Sequence, residues 1–229
     1  MMAGGDRQTK VILFGATGMI GQGVLHECLL DTDVQCVLSI ARSATGQRHP
    51  KLRELIHSDF LDFSAIENQL SGFDACFFCL GVSSVGMREE DYRRITYDFT
   101  MAAARTLARL NPNMTFVYVS GTGTDSSEHG RTMWARVKGQ TENALLRLPF
   151  KAAYMVRPAV IVPMHGFKSK TRMYRLFYAV VGPVLPLLQA AFPKYVTTAG
   201  QIGRAMIVVA RQGASKSVLE TPDINEIQI

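Results

Sequence analysis

The stretch Lys10-Val11-Ile12-Leu13-Phe14-Gly15-Ala16-Thr17-Gly18-Met19-Ile20-Gly21 decides how the rest of the chain is read. The apolar run ending at Phe14 reads as a strand, and beyond Gly21 the residues Val24, Leu25, Cys28 and Leu29 return at helical spacing. Strand, glycine turn and helix thus follow one another without a gap. The G-x-x-G-x-x-G spacing differs from G-x-G-x-x-G, and glycine clusters also mark ordinary turns, so the flanking strand and helix carry the argument. In that context Gly15 permits the tight turn out of the strand, and Gly18 lets backbone amides approach a pyrophosphate. Gly21 allows the helix to pack closely on a sheet with its positive end toward the phosphates. Thr17 adds a hydroxyl donor, and Met19 and Ile20 open the helix inside the same cradle. The motif points to a dinucleotide.

Outward from the motif, elements alternate. Strands are expected at Val34 to Ile40, Glu54 to Ser58, Ala75 to Leu80, Met114 to Val119 and Ala152 to Val156. Helices are expected at Ser64 to Leu70, Arg88 to Leu110, Thr132 to Leu148 and Ala199 to Ala210, with a last short strand at Ser217 to Leu219. Strands with little polar alternation are those of a parallel sheet covered on both faces, so the fold class is α/β with a doubly wound sheet. The 229 residues, 47% hydrophobic, read as one domain, with no polar linker dividing them. Residues 159–229, interrupted by Pro163, Pro183, Pro186 and Pro193, are expected to contribute an irregular cap on the substrate side.

An NAD site usually places a carboxylate about 20 residues beyond the glycines, on the ribose 2′-hydroxyl, whereas a 2′-phosphate calls for arginine. Here the second strand ends in Ala41-Arg42-Ser43, with no acid. A guanidinium engages phosphate through two parallel hydrogen bonds, so NADP(H) is favoured over NAD(H), with Arg42 and Ser43 as the phosphate site.

Four segments, Gly15 to Gly21, Cys79-Leu80-Gly81, Val117-Tyr118-Val119-Ser120 and Arg157-Pro158, resemble the short-chain dehydrogenase/reductase superfamily with a Rossmann fold. The resemblance is to its atypical and extended, NAD-dependent epimerase/dehydratase-like branches, and within them to the small oxidoreductase-like group related to the Tat-interacting protein. It implies that Asp59 and Phe60 meet the adenine, that Cys79, Leu80, Gly81 and Val82 line the ribose and nicotinamide, and that Pro158 and Val160 border the nicotinamide. Asp59 reads equally as a turn cap, and Cys79 or Val160 as core. The family's reaction uses Tyr-x-x-x-Lys on the helix after the fifth strand and a serine at that strand's end. This chain has Trp134-Ala135-Arg136-Val137-Lys138 and Ser120. Ser120 and Lys138 therefore match as catalytic residues, Lys138 also holding the ribose, while Trp134 stands at the tyrosine position with an indole N–H that cannot shuttle a proton. Tyr92, Tyr97, Tyr118 and His129 have suitable chemistry to replace it, although Tyr118 reads as structural and a loop histidine as solvated.

Composition narrows the remaining classes. The net charge of +6 is spread over several segments without interleaved exposed aromatics, which argues against nucleic acid and suits a multiply phosphorylated ligand. The histidines show no metal-ligand spacing, and Cys76 and Cys79, three apart on a strand, point to opposite faces. Four cysteines without a disulfide framework and no apolar leader segment give an expectation of cytoplasmic location. Lys168, Lys170, Arg172 and Arg175 precede the uncharged Leu176 to Pro193, which reads as substrate-pocket lining, with membrane-surface contact or a homodimer face as alternatives. The function expected is an NADPH-dependent reductase of a planar or apolar acceptor, a quinone, flavin or conjugated carbonyl, with water supplying the proton. The alternative is a non-catalytic NADP(H)-binding regulator or scaffold.

Overall fold

The computed structural model describes residues 8–162 and 194–227. Strand β1 (Thr9–Phe14) leads through the glycine turn into α1 (Met19–Leu30), β2 (Val34–Ala41) and β3 (Leu52–Ile56). A 3₁₀ turn at Ser64–Gln69 precedes β4 (Ala75–Phe78). One long helical rod follows, made of α2 (Glu89–Arg93), a π-helical stretch (Arg94–Asp98) and α3 (Phe99–Leu110). Then come β5 (Thr115–Val119), α4 (Met133–Leu146), β6 (Ala152–Arg157), β7 (Val160–Val162) and β8 (Val196–Thr198). The chain continues with α5 (Ala199–Gln212), β9 (Val218–Glu220) and α6 (Thr221–Glu226).

The main sheet has seven strands in the order β3-β2-β1-β4-β5-β6-β9, all pairs parallel, while β7 and β8 form a separate parallel pair. This is the doubly wound α/β fold expected from the alternation of elements. From β1 the chain winds outward through β2 and β3, then returns to place β4 on the other side of β1. The direction of winding therefore reverses between β1 and β4, and a crevice opens there at the carboxyl ends of the strands.

Because successive strand residues face opposite sides, the sheet carries two cores. Val11, Leu13, Val37, Phe77 and Val117 pack with Val24 and Leu25 of α1 and with Ile202 and Met206 of α5. Ile12, Phe14, Ile40, Phe78, Phe116 and Tyr118 pack with Ala104 and Leu107 of α3 and Leu145 of α4. Cys76 belongs to the second core while Cys79 packs against the first, so the pair straddles the sheet, and all four thiols are free. Helices α1 and α5 touch through glycines. A Cβ on Gly23 would lie 2.6 Å from that of Ala199, and one on Gly203 would lie 3.0 Å from the Val24 Cα.

The pair β7 and β8, the bounds of β3, and α6 differ from the sequence expectation. Strand β3 begins two residues earlier than Glu54, because its pairing with β2 runs from Val37↔Leu52 to Ala41↔Ile56 and the Lys51 carbonyl accepts from the Val37 amide at 2.8 Å. As a half-exposed edge strand it has little hydrophobic pattern to fix its bounds. Helix α6 was not anticipated, although Glu220 and Asp223 form a reciprocal capping box around Pro222. Residues 194–227 of the expected cap region supply α5 and β9 to the main layers, and the rest of that region, 163–193, lies outside the described residues.

Candidate functional site

The glycine turn is closed so tightly that side chains are excluded. Gly15 has φ +80°, and a Cβ on it would fall 2.6 Å from the Cys79 carbonyl carbon and 2.7 Å from the Leu80 nitrogen. The turn at the end of β1 thus presses against the end of β4. The Gly18 amide donates to the Gly15 carbonyl at 2.9 Å, and a Cβ on Gly21 would lie only 2.0 Å from that same oxygen. Gly18 is exposed, and a Cβ on it would meet only the Gly15 carbonyl oxygen, at 3.3 Å.

Gly18 is also the N-cap of α1. No side chain caps this helix end and no acidic residue lies in its first turn. The amides of Met19, Ile20 and Gly21 therefore carry the partial positive charge of the helix terminus without an internal anion. Half-buried Thr17 sits beside them, its carbonyl accepting from Gln22 Nε2 at 2.9 Å. Uncapped donors, an exposed glycine and a switch-point crevice together fit the diphosphate of a dinucleotide.

Phe14 pairs with Ile40, so β2 ends at Ala41 along the same edge as the glycine turn, and Arg42 and Ser43 leave the sheet there. Arg42 and Ser43 are exposed, and Arg42 makes no ion pair or hydrogen bond among the described residues. Asp59 is exposed and accepts from the Leu61 amide at 2.9 Å, the turn-capping arrangement. Phe60 is 2% exposed, its ring enclosed by Phe14, Phe63 and Phe99, so its side chain is core and only its backbone is left for a ligand.

On the β4 side, the Cys79 amide donates to the Phe14 carbonyl at 3.0 Å and Leu80 packs against the second core. Gly81 and Val82 are exposed, and a Cβ on Gly81 would meet nothing within 4 Å. Pro158 is buried and its carbonyl accepts from the Thr122 amide at 3.1 Å, while Val160 is exposed and joined to the Tyr195 carbonyl at 2.9 Å.

Ser120 leaves β5 with its hydroxyl 3.0 Å from that of Thr124, which is itself 2.7 Å from the Gly121 carbonyl. The half-buried Trp134 indole covers this loop, its edge 3.4 Å from where a Cβ on Gly123 would be. One turn along α4, Lys138 Nζ lies 5.3 Å from the centre of the Tyr118 ring. Burial lowers the Lys138 ammonium to a pKa of about 8, against the opposing field of the Glu142 carboxylate. Tyr118 is buried and its hydroxyl is pushed well above the ordinary phenol range by desolvation. Tyr92 is likewise buried and raised, Tyr97 lies under Arg93, and His129 is exposed.

Sequence reasoning missed the polar brace beneath this loop. Arg157, at the end of β6, binds the 1%-exposed Glu142 carboxylate through Nε at 3.0 and 3.2 Å and through a further guanidinium contact. The same guanidinium reaches Ser126 Oγ at 2.6 Å and Glu220 at 3.4 Å. Asp125 folds the loop from within, accepting from Ser127 Oγ and from the Gly130 amide, both at 2.6 Å. The available signal was the Arg157-Pro158 segment, but only the tertiary structure joins it to Glu142. Among the described residues, no group of three or more His, Cys, Asp or Glu side chains could hold a metal ion, and no helix is long and apolar enough to cross a membrane. The basic and apolar stretch at 168–193 lies outside the described residues.

The chain belongs to the NAD dependent epimerase/dehydratase family, whose sequence model it matches over residues 11–135, more than half its length. Its Rossmann-type α/β fold is that of solved dehydrogenases and epimerases. Among relatives, it is 25% identical to "Protein fmp52-2, mitochondrial" of Aspergillus terreus, over 89% of this chain and 87% of the relative. It is 24% identical to the protein of the same name in Aspergillus oryzae, over 94% and 95% of the two chains. In structure it is similar to the Bordetella bronchiseptica enzyme WbmF, solved with NAD+, with a TM-score of 0.68 and 14% identity over 93% of this chain and 73% of that one. A short-chain dehydrogenase family protein of Francisella tularensis gives 0.65 and 15% identity, over 93% and 96%. The expectation of a cytoplasmic protein is corrected by the fungal relatives, which are named as mitochondrial. Cysteines without a disulfide framework fit any reducing compartment, so they do not separate cytosol from mitochondrion.

Proposed function

We propose that this protein is an NADP(H)-binding reductase of atypical mechanism, working on planar or apolar acceptors such as quinones, flavins or conjugated carbonyls, in a mitochondrial setting like that named for its relatives. One observation carries the reading: the uncapped first turn of α1, pressed by Gly15 against β4, beside Arg42, which has no partner among the described residues. Gly15, Thr17, Gly18, Met19, Ile20 and Gly21 would hold the diphosphate through backbone amides and a hydroxyl, and Arg42 with Ser43 the 2′-phosphate. Asp59 and the Phe60 backbone would border the adenine. Cys79, Leu80, Gly81, Val82, Pro158 and Val160 would border the ribose and nicotinamide, where Lys138 would meet the ribose hydroxyls and Ser120 the substrate oxygen. When bound, the cofactor supplies the hydride, and the protein supplies alignment.

Trp134, in the place of the family's tyrosine, favours acceptors that need no phenolic acid and offers a flat wall for stacking. The same residue supports a second reading, a non-catalytic regulator whose partner affinity follows cofactor occupancy. Calorimetry and turnover separate them. Saturable NADPH uptake, lost in Gly18→Asp through crowding and repulsion of the diphosphate, is expected, and unchanged affinity in that variant would displace the site. Oxidation of NADPH by a panel of quinones and flavins is the expected result for a reductase. Tight binding with no turnover on any acceptor gives the regulator.

A further inference from the structure

Among the described residues, the helix that follows the Ser120 loop carries a half-buried cation without a counter-ion. Lys138 makes no ion pair and no hydrogen bond among the described residues, and its ammonium rests only over the Tyr118 ring. Its natural partner would be Glu142, one helical turn onward and on the same face of α4. Arg157 of β6 takes that carboxylate instead, with a guanidinium that also reaches Ser126 and Glu220. Tyr118 lies in β5 two residues before Ser120, so the cation over its ring stands near the strand end from which Ser120 leaves.

Tyr118 and Tyr92 are buried with their hydroxyl acidity suppressed by desolvation, Arg136 is held by Glu89 and the Gly130 carbonyl, and Trp134 has no acidic proton. We propose that Lys138 is the proton donor of the reaction, its ammonium protonating the substrate oxygen in place of a phenol, with the Arg157–Glu142 pair keeping it free of a counter-ion. This rests on the reductase reading above, and it replaces water as the proton source.

In the step, the carbonyl carbon accepts hydride from reduced cofactor and the carbonyl π pair moves to oxygen. The Lys138 N–H bond breaks as the O–H bond forms, leaving an alcohol, oxidised cofactor and a neutral amine that regains its proton from solvent. The groups facing Lys138 are Tyr118 from β5 and Glu142 from α4, with Tyr92 of α2 acting electrostatically on Tyr118 and Arg157 of β6 neutralising Glu142. A donor near pH 8 has an acidity matched to neutral conditions, and it is lost as pH rises through that value.

The test uses the full chain. Trace acetylation across a pH series, read at Lys138 by mass spectrometry, is expected to give a midpoint near pH 8, and a midpoint in the ordinary lysine range would overturn the proposal. Arg157→Met frees Glu142 and is expected to raise that midpoint by about one unit, while an unmoved midpoint would remove Arg157 and Glu142 from the account. With 4-nitrobenzaldehyde as acceptor, reduction should fall above pH 8. Lys138→Arg should slow it about 100-fold at saturating NADPH, a loss beyond any change in NADPH affinity measured by calorimetry, and should abolish the inflection. An inflection that survives in Lys138→Arg, a loss in affinity alone, or binding without aldehyde turnover each overturns proton donation. Absence of NADPH binding in the unaltered protein sinks the reductase reading itself, whatever the labelling shows.

Discussion

At the scale of single residues, the turn between β1 and α1 is defined by what its glycines lack. Gly21→Ala would force a methyl to within 2.0 Å of the Gly15 carbonyl oxygen, which is backbone and cannot swing aside. The expected outcome is loss of cofactor binding together with a lowered unfolding midpoint, measured by calorimetry and by thermal denaturation. A variant with unchanged affinity and midpoint would show that the turn relaxes freely. Arg42 presents the opposite case, an exposed side chain with no partner among the described residues. Arg42→Ala should leave stability within about 0.5 kcal/mol. It should weaken NADPH by about 1.5–3 kcal/mol, the usual worth of hydrogen bonds to a charged group, with little effect on NADH. Equal losses for the two nucleotides would remove Arg42 from the phosphate site.

At the scale of elements, the β5–α4 loop is shaped by three neighbours. Gly139 lets α4 sit against the Asp125 carbonyl, where a Cβ would lie 1.8 Å away, and the Asp125 amide donates back to Ala135 at 3.1 Å. Arg157 ties the same loop to β6, to α4 through Glu142 and to the end of β9 through Glu220. Removing one member of a buried pair leaves the other charged and unsatisfied. Arg157→Met is therefore expected to destabilise by about 3–5 kcal/mol, measured by urea denaturation. The paired replacement of Arg157 and Glu142 by apolar residues should recover much of that loss. If the single change costs under about 1 kcal/mol, the pair is not a brace.

At the scale of the whole molecule, buried titratable groups set an alkaline limit. Cys28, Cys76 and Cys79 have thiols raised by burial, as Tyr118 has its hydroxyl, so the unfolded chain ionises first. Their contribution to stability is complete below the ordinary thiol range near pH 9 and is lost as pH climbs above it. Lys138 runs the other way. Lowered from 10.5 to about 8, it disfavours folding below pH 8, and that penalty is relieved between pH 8 and 10.5. Lys138→Met is accordingly expected to raise the unfolding midpoint at pH 7 and to steepen the decline above pH 9, followed by denaturation across that range. A midpoint that drops at pH 7 would mean that the ammonium has a stabilising partner.

The sequence alone determined the alternation of elements, the parallel sheet and the position of the glycine turn, because hydrophobic periodicity and the conformational freedom of glycine are local properties. The resemblance to short-chain dehydrogenases/reductases, and not any local pattern, grouped Ser120, Trp134 and Lys138. Sequence reasoning misplaced β3, whose bounds come from backbone pairing with β2 at a half-exposed edge, and it passed over α6, whose cap depends on Glu220 emerging from β9. The enclosure of Phe60 among other rings and the capture of Glu142 by Arg157 were decided only by the tertiary structure. Both are contacts between elements distant in the chain, and burial and electrostatic partnership at such contacts follow from packing, which no local pattern records.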